Sequence, residues 1–197
     1  LMVGFNKQSM SNKYRGMTIA EAASLRGESP EEAIVNLIIE DGSRIQCIYF
    51  SMSEENVRKK IMLPWVAFDS DAGSYSDISK DFITHPRAFG SFARVLGKYV
   101  RDEKLISMEE AIRRLSGFPA DNLGIEKRGY LKPGFFADVV IFDPELINDK
   151  ATFEEPLQFA VGVEDVFVNG IQVLSGSEHT GEFPGRFVKG AGYSPSN

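Results

Sequence analysis

The 197-residue chain is 43% hydrophobic with a net charge of −6 and a pI near 5.1. It can bury the core of one domain or two small ones, and it is too acidic for a nucleic-acid partner, which needs a basic patch. One cysteine, Cys47, excludes an intramolecular disulfide, and no apolar run reaches the roughly 20 residues of a membrane span.

Without a charged-then-apolar leader, a cytoplasmic protein is expected; the start at Leu1 rather than methionine points to sequence lost upstream. Thr18 and Glu21 stand at capping-box spacing before an alanine-rich stretch, which predicts a helix over 18–26 ended by Gly27. Ser29, Pro30 and Glu32 repeat the device for a second helix with Ala33, Ile34, Leu37 and Ile38 on its apolar face, closed at Asp41-Gly42. The run 45–50 reads as a buried strand, Ser53 caps a helix carrying Val57 and Ile61, and 64–69 reads as a second strand. Helix, strand, helix, strand implies parallel strands joined by a right-handed crossover.

The second strand delivers Asp69, Ser70 and Asp71 to a turn at Gly73, the way a buried parallel strand brings polar groups to the rim of a barrel; Asp71 is the catalytic candidate. A polar stretch over 72–80 reads as a loop. After Thr84-His85-Pro86-Arg87 come two helices. Phe92, Val95, Leu96, Tyr99 and Val100 mark the face of one; Ser107 and Glu110 cap the other, which stops at Gly117 before a short third helix from Pro119. From about Arg128 the period changes to strands, over 137–142 and in a hairpin over 163–174 whose Asn169-Gly170 suits the paired positive φ of a type I′ turn. The tail 191–197, rich in glycine, serine and proline, is expected to fray. The division expected is 1–125, then a β portion over 126–190, then the tail.

These pieces resemble, in order, the carboxy-terminal part of the D-aminoacylase family of N-acyl-D-amino-acid deacylases, in the amidohydrolase superfamily. The run 49–57 is similar to its seventh-strand segment, and Ser70-Asp71-Ala72 to its Ser-Asp-Gly. His85-Pro86-Arg87 resembles its His-Pro-Arg motif, and Pro119-Ala120 its later Pro-Ala. Arg128-Gly129, Ala137-Asp138, Phe142-Asp143-Pro144, the run 166–170 and Pro184-Gly185-Arg186 resemble its β portion. The resemblance implies an α/β fold: the C-terminal portion of a (β/α)8 amidohydrolase barrel followed by part of a small β-sandwich domain. It implies zinc-dependent hydrolysis of N-acyl-D-amino acids, with zinc lowering the pKa of a bound water and an aspartate shuttling the proton to the leaving amine. Asp71 matches that aspartate and is the one candidate metal ligand. Arg87 matches the arginine that holds the substrate carboxylate bidentately, and His85 and Ser70 support them.

The family's histidine and cysteine ligands have no counterparts here, so no metal is expected on this chain alone, although zinc serves the parent family. Two departures stand out: Ala72 replaces glycine beside the base, and sixteen residues separate Asp71 from Arg87, with the excess assigned to an insertion over 74–82. Structural readings compete at each position. On residue type alone Asp71 reads as a strand-end cap, which the family resemblance reverses; Arg87 reads as a loop ion pair and Asp69 as a supporting carboxylate. His85 reads as a backbone-positioning group, His179 as solvated, Cys47 as a small packed hydrophobe, and Lys13-Tyr14-Arg15 as a solvated loop. The chain is thus expected to be a partial enzyme, inactive by itself, that forms a homo-oligomer or pairs with a complementing chain to cover exposed strand edges. The alternatives are a non-catalytic amidohydrolase-like binding or assembly module and, more distantly, a dihydroorotase-like or hydantoinase-like enzyme.

Overall fold

The computed structural model describes residues 1–73, 84–190 and 192–193, arranged in two compact units. The stretch 74–82 and most of the glycine- and serine-rich tail lie outside the described residues.

The first unit contains Leu1–Met52, Gly73–Pro86 and Thr152–Leu157. It opens with strand β1 (Met2–Gly4), then helices α1 (Gln8–Tyr14), α2 (Ile19–Arg26) and α3 (Pro30–Asp41), then strand β2 (Gln46–Cys47). Both expected capping boxes form: Thr18 Oγ1 accepts from Glu21 N, and Ser29 Oγ from Glu32 N, while each glutamate reaches back to the cap backbone. Gly27 (φ 68°) and Gly42 (φ 73°) end the two helices in the left-handed region that side chains avoid.

Met2, Met10, Tyr14, Ala22 and Leu37 form the core of this unit. Tyr14 is therefore a core residue rather than part of a solvated basic loop; its hydroxyl accepts from Arg26 Nη1 at 3.0 Å. On α3 the buried stripe is Ala33, Leu37 and Asp41, four residues apart, which leaves Ile34 and Ile38 on an exposed flank with Val35 and Ile39.

The strand expected over 45–50 shrinks to two residues, and it pairs antiparallel with β1, Met2 opposite Cys47. Tyr49 and Phe50 are exposed. The parallel crossover expected here is absent among the described residues, because the nearest partner strand is a three-residue segment at the start of the chain that sequence patterning is too short to reveal.

The second unit contains Ser53–Ala72, Arg87–Ala151 and Gln158–Asn197. Helix α4 (Glu54–Ile61) starts at the Ser53 cap, and α5 (Arg87–Arg94) continues into π-helical turns over Val95–Asp102. Then come α6 (Met108–Leu115), capped by Ser107, and α7 (Gly117–Asn122). Gly97 is the reason the π-turns fit: a β-carbon there would stand 2.5 Å from the Ile147 carbonyl, so only glycine lets the helix lie on that backbone. Ala93, Val95, Leu96, Val100, Ala111 and Ile147 make the core, with Phe68 and Phe142 packed against it.

Strands β3 (Val139–Phe142), β4 (Val163–Val168), β5 (Ile171–Ser175) and β6 (Glu178–His179) form one antiparallel sheet in sequential order. The β4–β5 turn has φ 51° at Asn169 and 80° at Gly170, the paired positive values expected there. Arg128 ties that turn down, donating to Asp138 and to Asn169 Oδ1 at 2.6 Å with its guanidinium over the Phe136 ring.

Candidate functional site

In the second unit the chain leaves α4 at Ile61 and runs through 62–72 without joining a sheet, so the strand expected over 64–69 does not form among the described residues. A strand needs a ladder partner on at least one edge, and this stretch has none among the described residues of the unit; its main chain bonds instead to side chains, to local turns and to the Arg114 carbonyl. Leu63 N donates to Lys60 O at 3.1 Å and Val66 N to Leu63 O at 3.2 Å.

Helix α6 supplies the rest. Arg114, fully buried, donates from Nε to Val66 O at 2.6 Å and from Nη1 to Ile61 O at 2.5 Å. Its guanidinium carbon sits 4.3 Å from the Phe68 ring centroid, and burial pushes its pKa down. Arg113 adds a bond from Nη2 to Pro64 O at 3.0 Å.

Beyond Phe68, Ser70 N donates to Asp69 Oδ1 at 2.7 Å, which fixes the Asp69 side chain, and Asp71 follows at φ 47°, a left-handed conformation that aspartate tolerates better than most residues. Arg87, the first residue of α5, brings Nη2 to 3.0 Å from Asp71 Oδ2. The Asp71 side chain is 84% exposed and that of Arg87 44%. The two residues singled out as base and carboxylate anchor thus meet in one accessible ion pair, a proton acceptor beside a guanidinium able to grip a carboxylate.

Ser70 is half-buried beside Asp71. His85 belongs to the first unit, where its ring meets Phe153 edge-on with centroids 5.2 Å apart.

A second charged cluster clamps α4 to the π-turns. Glu54 accepts from Lys98 Nζ and from Tyr99 Oη, the latter at 2.9 Å, and Arg58 forks onto Glu103 at 2.7 and 2.9 Å. The Lys98 ammonium holds the Glu54 carboxyl below its ordinary range, while burial pushes the Tyr99 phenol up.

Among the described residues no group of three or more His, Cys, Asp or Glu side chains gathers to hold a metal ion. Asp71 on its own does not make a zinc site, which takes three or four ligands. Burial pushes the Cys47 thiol up, away from reactivity. His179 is exposed, its Nδ1 accepting from Gly181 N at 2.9 Å.

Residues 7–174 match the amidohydrolase family model. The chain belongs to the amidohydrolase family. It is 36% identical over 173 residues to a D-aminoacylase from Alcaligenes xylosoxydans xylosoxydans, a match covering 88% of this chain and 34% of that protein. The crystal structure of a D-aminoacylase superposes with a TM-score of 0.80 at 33% identity, over 93% of this chain and 37% of that one. N-acyl-D-glutamate deacylase from Bordetella bronchiseptica, solved with zinc and a phosphonate mimic of the tetrahedral intermediate, gives a TM-score of 0.74 at 36% identity, over 86% and 34%. The amidohydrolase chain described here spans about a third of the length of the curated relatives it matches. No helix of the described residues is long and apolar enough to cross a membrane.

Sequence patterning singled out Asp71, Ser70 and Arg87 but missed Arg114. The signal was present: position 114 stands three residues after the buried Ala111 on α6, on the stripe that faces the core. An arginine on such a stripe is either exposed at the margin or bonded within, and here it is bonded within.

Proposed function

We propose that this chain carries the proton-transfer and carboxylate-binding groups of an N-acyl-D-amino-acid deacylase. Asp71 accepts the proton of the attacking water and returns it to the leaving amine, and Arg87 grips the α-carboxylate of the substrate. The observation that carries this reading is the 3.0 Å approach of Arg87 Nη2 to Asp71 Oδ2 at an accessible point of one unit. Membership of the family and the deacylases among the similar proteins support it. In the substrate complex the guanidinium exchanges one carboxylate for another, and Asp71 is released toward the water.

The residues described do not make up a zinc site, and no step here is routed through one. In this reading the remaining metal ligands belong to the part of the family fold that this chain does not cover. By itself the chain is inactive in this reading, and the helices of the first unit and the sheet of the second are parts of a barrel and a β-sandwich completed elsewhere.

The test is complementation. The part of the Alcaligenes D-aminoacylase that precedes the matched region is expressed separately, mixed with this chain and zinc, and assayed on N-acetyl-D-methionine. Restored hydrolysis is expected. Two folded partners that associate without turnover would favour a binding or assembly module instead.

A further inference from the structure

We propose that Arg114 is a positioning residue for Asp71, acting through the segment whose carbonyls it holds; this rests on the reading of Asp71 as the general base. Among the described residues the segment that delivers Asp71 has no sheet pairing, and helix α6 holds it. Arg114 touches it at four points. Its Nη1 takes the Ile61 carbonyl at 2.5 Å, its Nε the Val66 carbonyl at 2.6 Å, its cation lies on the Phe68 ring, and its own carbonyl accepts from Phe68 N at 3.5 Å.

Chemistry explains why an arginine stands there. The Ile61 carbonyl is at the C-terminal end of α4, where the helix dipole concentrates negative charge and welcomes a cation. A planar guanidinium can donate in two fixed directions at once, so it sets the distance between the end of α4 and Val66 as a rigid spacer would. A lysine ammonium, a compact point charge on a flexible stem, sets no such distance.

The guanidinium is also expensive to bury, and it is held by carbonyls rather than by a carboxylate, with Nη2 given no hydrogen-bond partner among the described residues. What the arginine adds is direction: it satisfies two carbonyls in a fixed geometry, which an apolar side chain of the same volume would leave unbonded. Between Phe68 and Asp71 lie only Asp69 and Ser70, so a shift at Val66–Phe68 is passed along two residues of chain to Asp71. A misplacement of about 1 Å at a reacting group lowers a rate by about 100-fold.

The test compares Arg114→Lys and Arg114→Met with Ile147→Ala, which loosens the core that Phe68 also packs on but leaves both carbonyl bonds of Arg114 in place. Amide hydrogen exchange on the 197-residue chain is expected to quicken by about tenfold or more at Val66 and Phe68, whose amides bond to the Leu63 and Arg114 carbonyls, in both Arg114 variants while β4 keeps its protection. Exchange unchanged at Val66 and Phe68, or a rise spread evenly over them and β4 as in Ile147→Ala, would overturn the proposal. In the complemented enzyme, Arg114→Lys is expected to lower kcat by about 100-fold with KM little changed. An unchanged kcat, in an enzyme that Asp71→Asn disables, would also overturn it. If instead Asp71→Asn leaves kcat intact, the base reading fails and the positioning of a base falls with it, while the exchange data still decide whether Arg114 holds the segment.

Discussion

Replacing Asp41 by alanine should unfasten the start of α1 and lower the stability of the first unit. The side chain is fully buried, and it accepts three hydrogen bonds: from Asn6 N and Lys7 N at 2.9 Å each and from Ser43 Oγ at 2.5 Å. Lys7 is the residue before α1, and α1 has no side-chain cap of its own, so an aspartate 34 residues away in sequence does the capping. Losing an N-cap costs about 0.5–2 kcal/mol, and stranding buried donors adds about 1–3 kcal/mol. Asp41→Ala is therefore expected to lose about 3 kcal/mol, and Asp41→Asn, which keeps one acceptor oxygen, about half of that.

The pH dependence has a definite sign. Burial pushes the Asp41 carboxyl up, but the bonds from Ser43 and from the backbone of Lys7 and Asn6 together outweigh it, and its pKa in the fold lies below the ordinary value. Its contribution is thus complete above the unfolded pKa of about 3.9 and disappears as the pH falls through the lower, folded pKa. Urea unfolding followed by far-UV circular dichroism should give a constant difference between wild type and Asp41→Asn from neutral pH down to about pH 5, shrinking below about pH 4. A difference under about 0.5 kcal/mol at pH 7, within the range of ordinary surface substitutions, would refute the capping role. So would a difference that grows as the pH is lowered.

Gly97→Ala should destabilise the second unit by about 1–3 kcal/mol, read in the same unfolding assay, because the new methyl meets the Ile147 carbonyl and neither backbone can retreat. Self-association should be visible by sedimentation velocity across a concentration series, since Val35 and Ile39, the latter 70% exposed, give α3 an apolar outer face. Val35→Lys with Ile39→Lys should shift the distribution toward monomer, and a wild-type monomer at every concentration would count against the oligomer expectation.

The helices were legible because their ends are written locally. Thr18, Ser29, Ser53 and Ser107 sit where caps are needed, and Gly27 and Gly42 stand where the chain turns left-handed. The Asn169-Gly170 hairpin was legible for the same reason. The strands over 45–50 and 64–69 were not, because an apolar run states only that residues avoid water, while pairing depends on distant partners. Trp65 is exposed and Phe68 packs on Arg114, in a segment held by a helix rather than a ladder. At the candidate site, Asp71 and Arg87 were chosen from motif order, which does not record their 3.0 Å approach. The bonds made by Asp41 and Arg114 were not legible because each acts on backbone groups more than 30 residues away, which no local pattern records.

The central claim concerns the division of labour between Asp71 and Arg87, and steady-state kinetics of the complemented enzyme on N-acetyl-D-methionine test it most directly. Asp71→Asn is predicted to lower kcat by about 100-fold or more with KM little changed, as removal of a general base does. Arg87→Met is predicted to raise KM for this substrate, and to matter far less for an N-acyl amine that lacks the α-carboxylate. An Asp71→Asn enzyme with undiminished kcat, or an Arg87→Met enzyme that handles both substrates like wild type, would contradict the account.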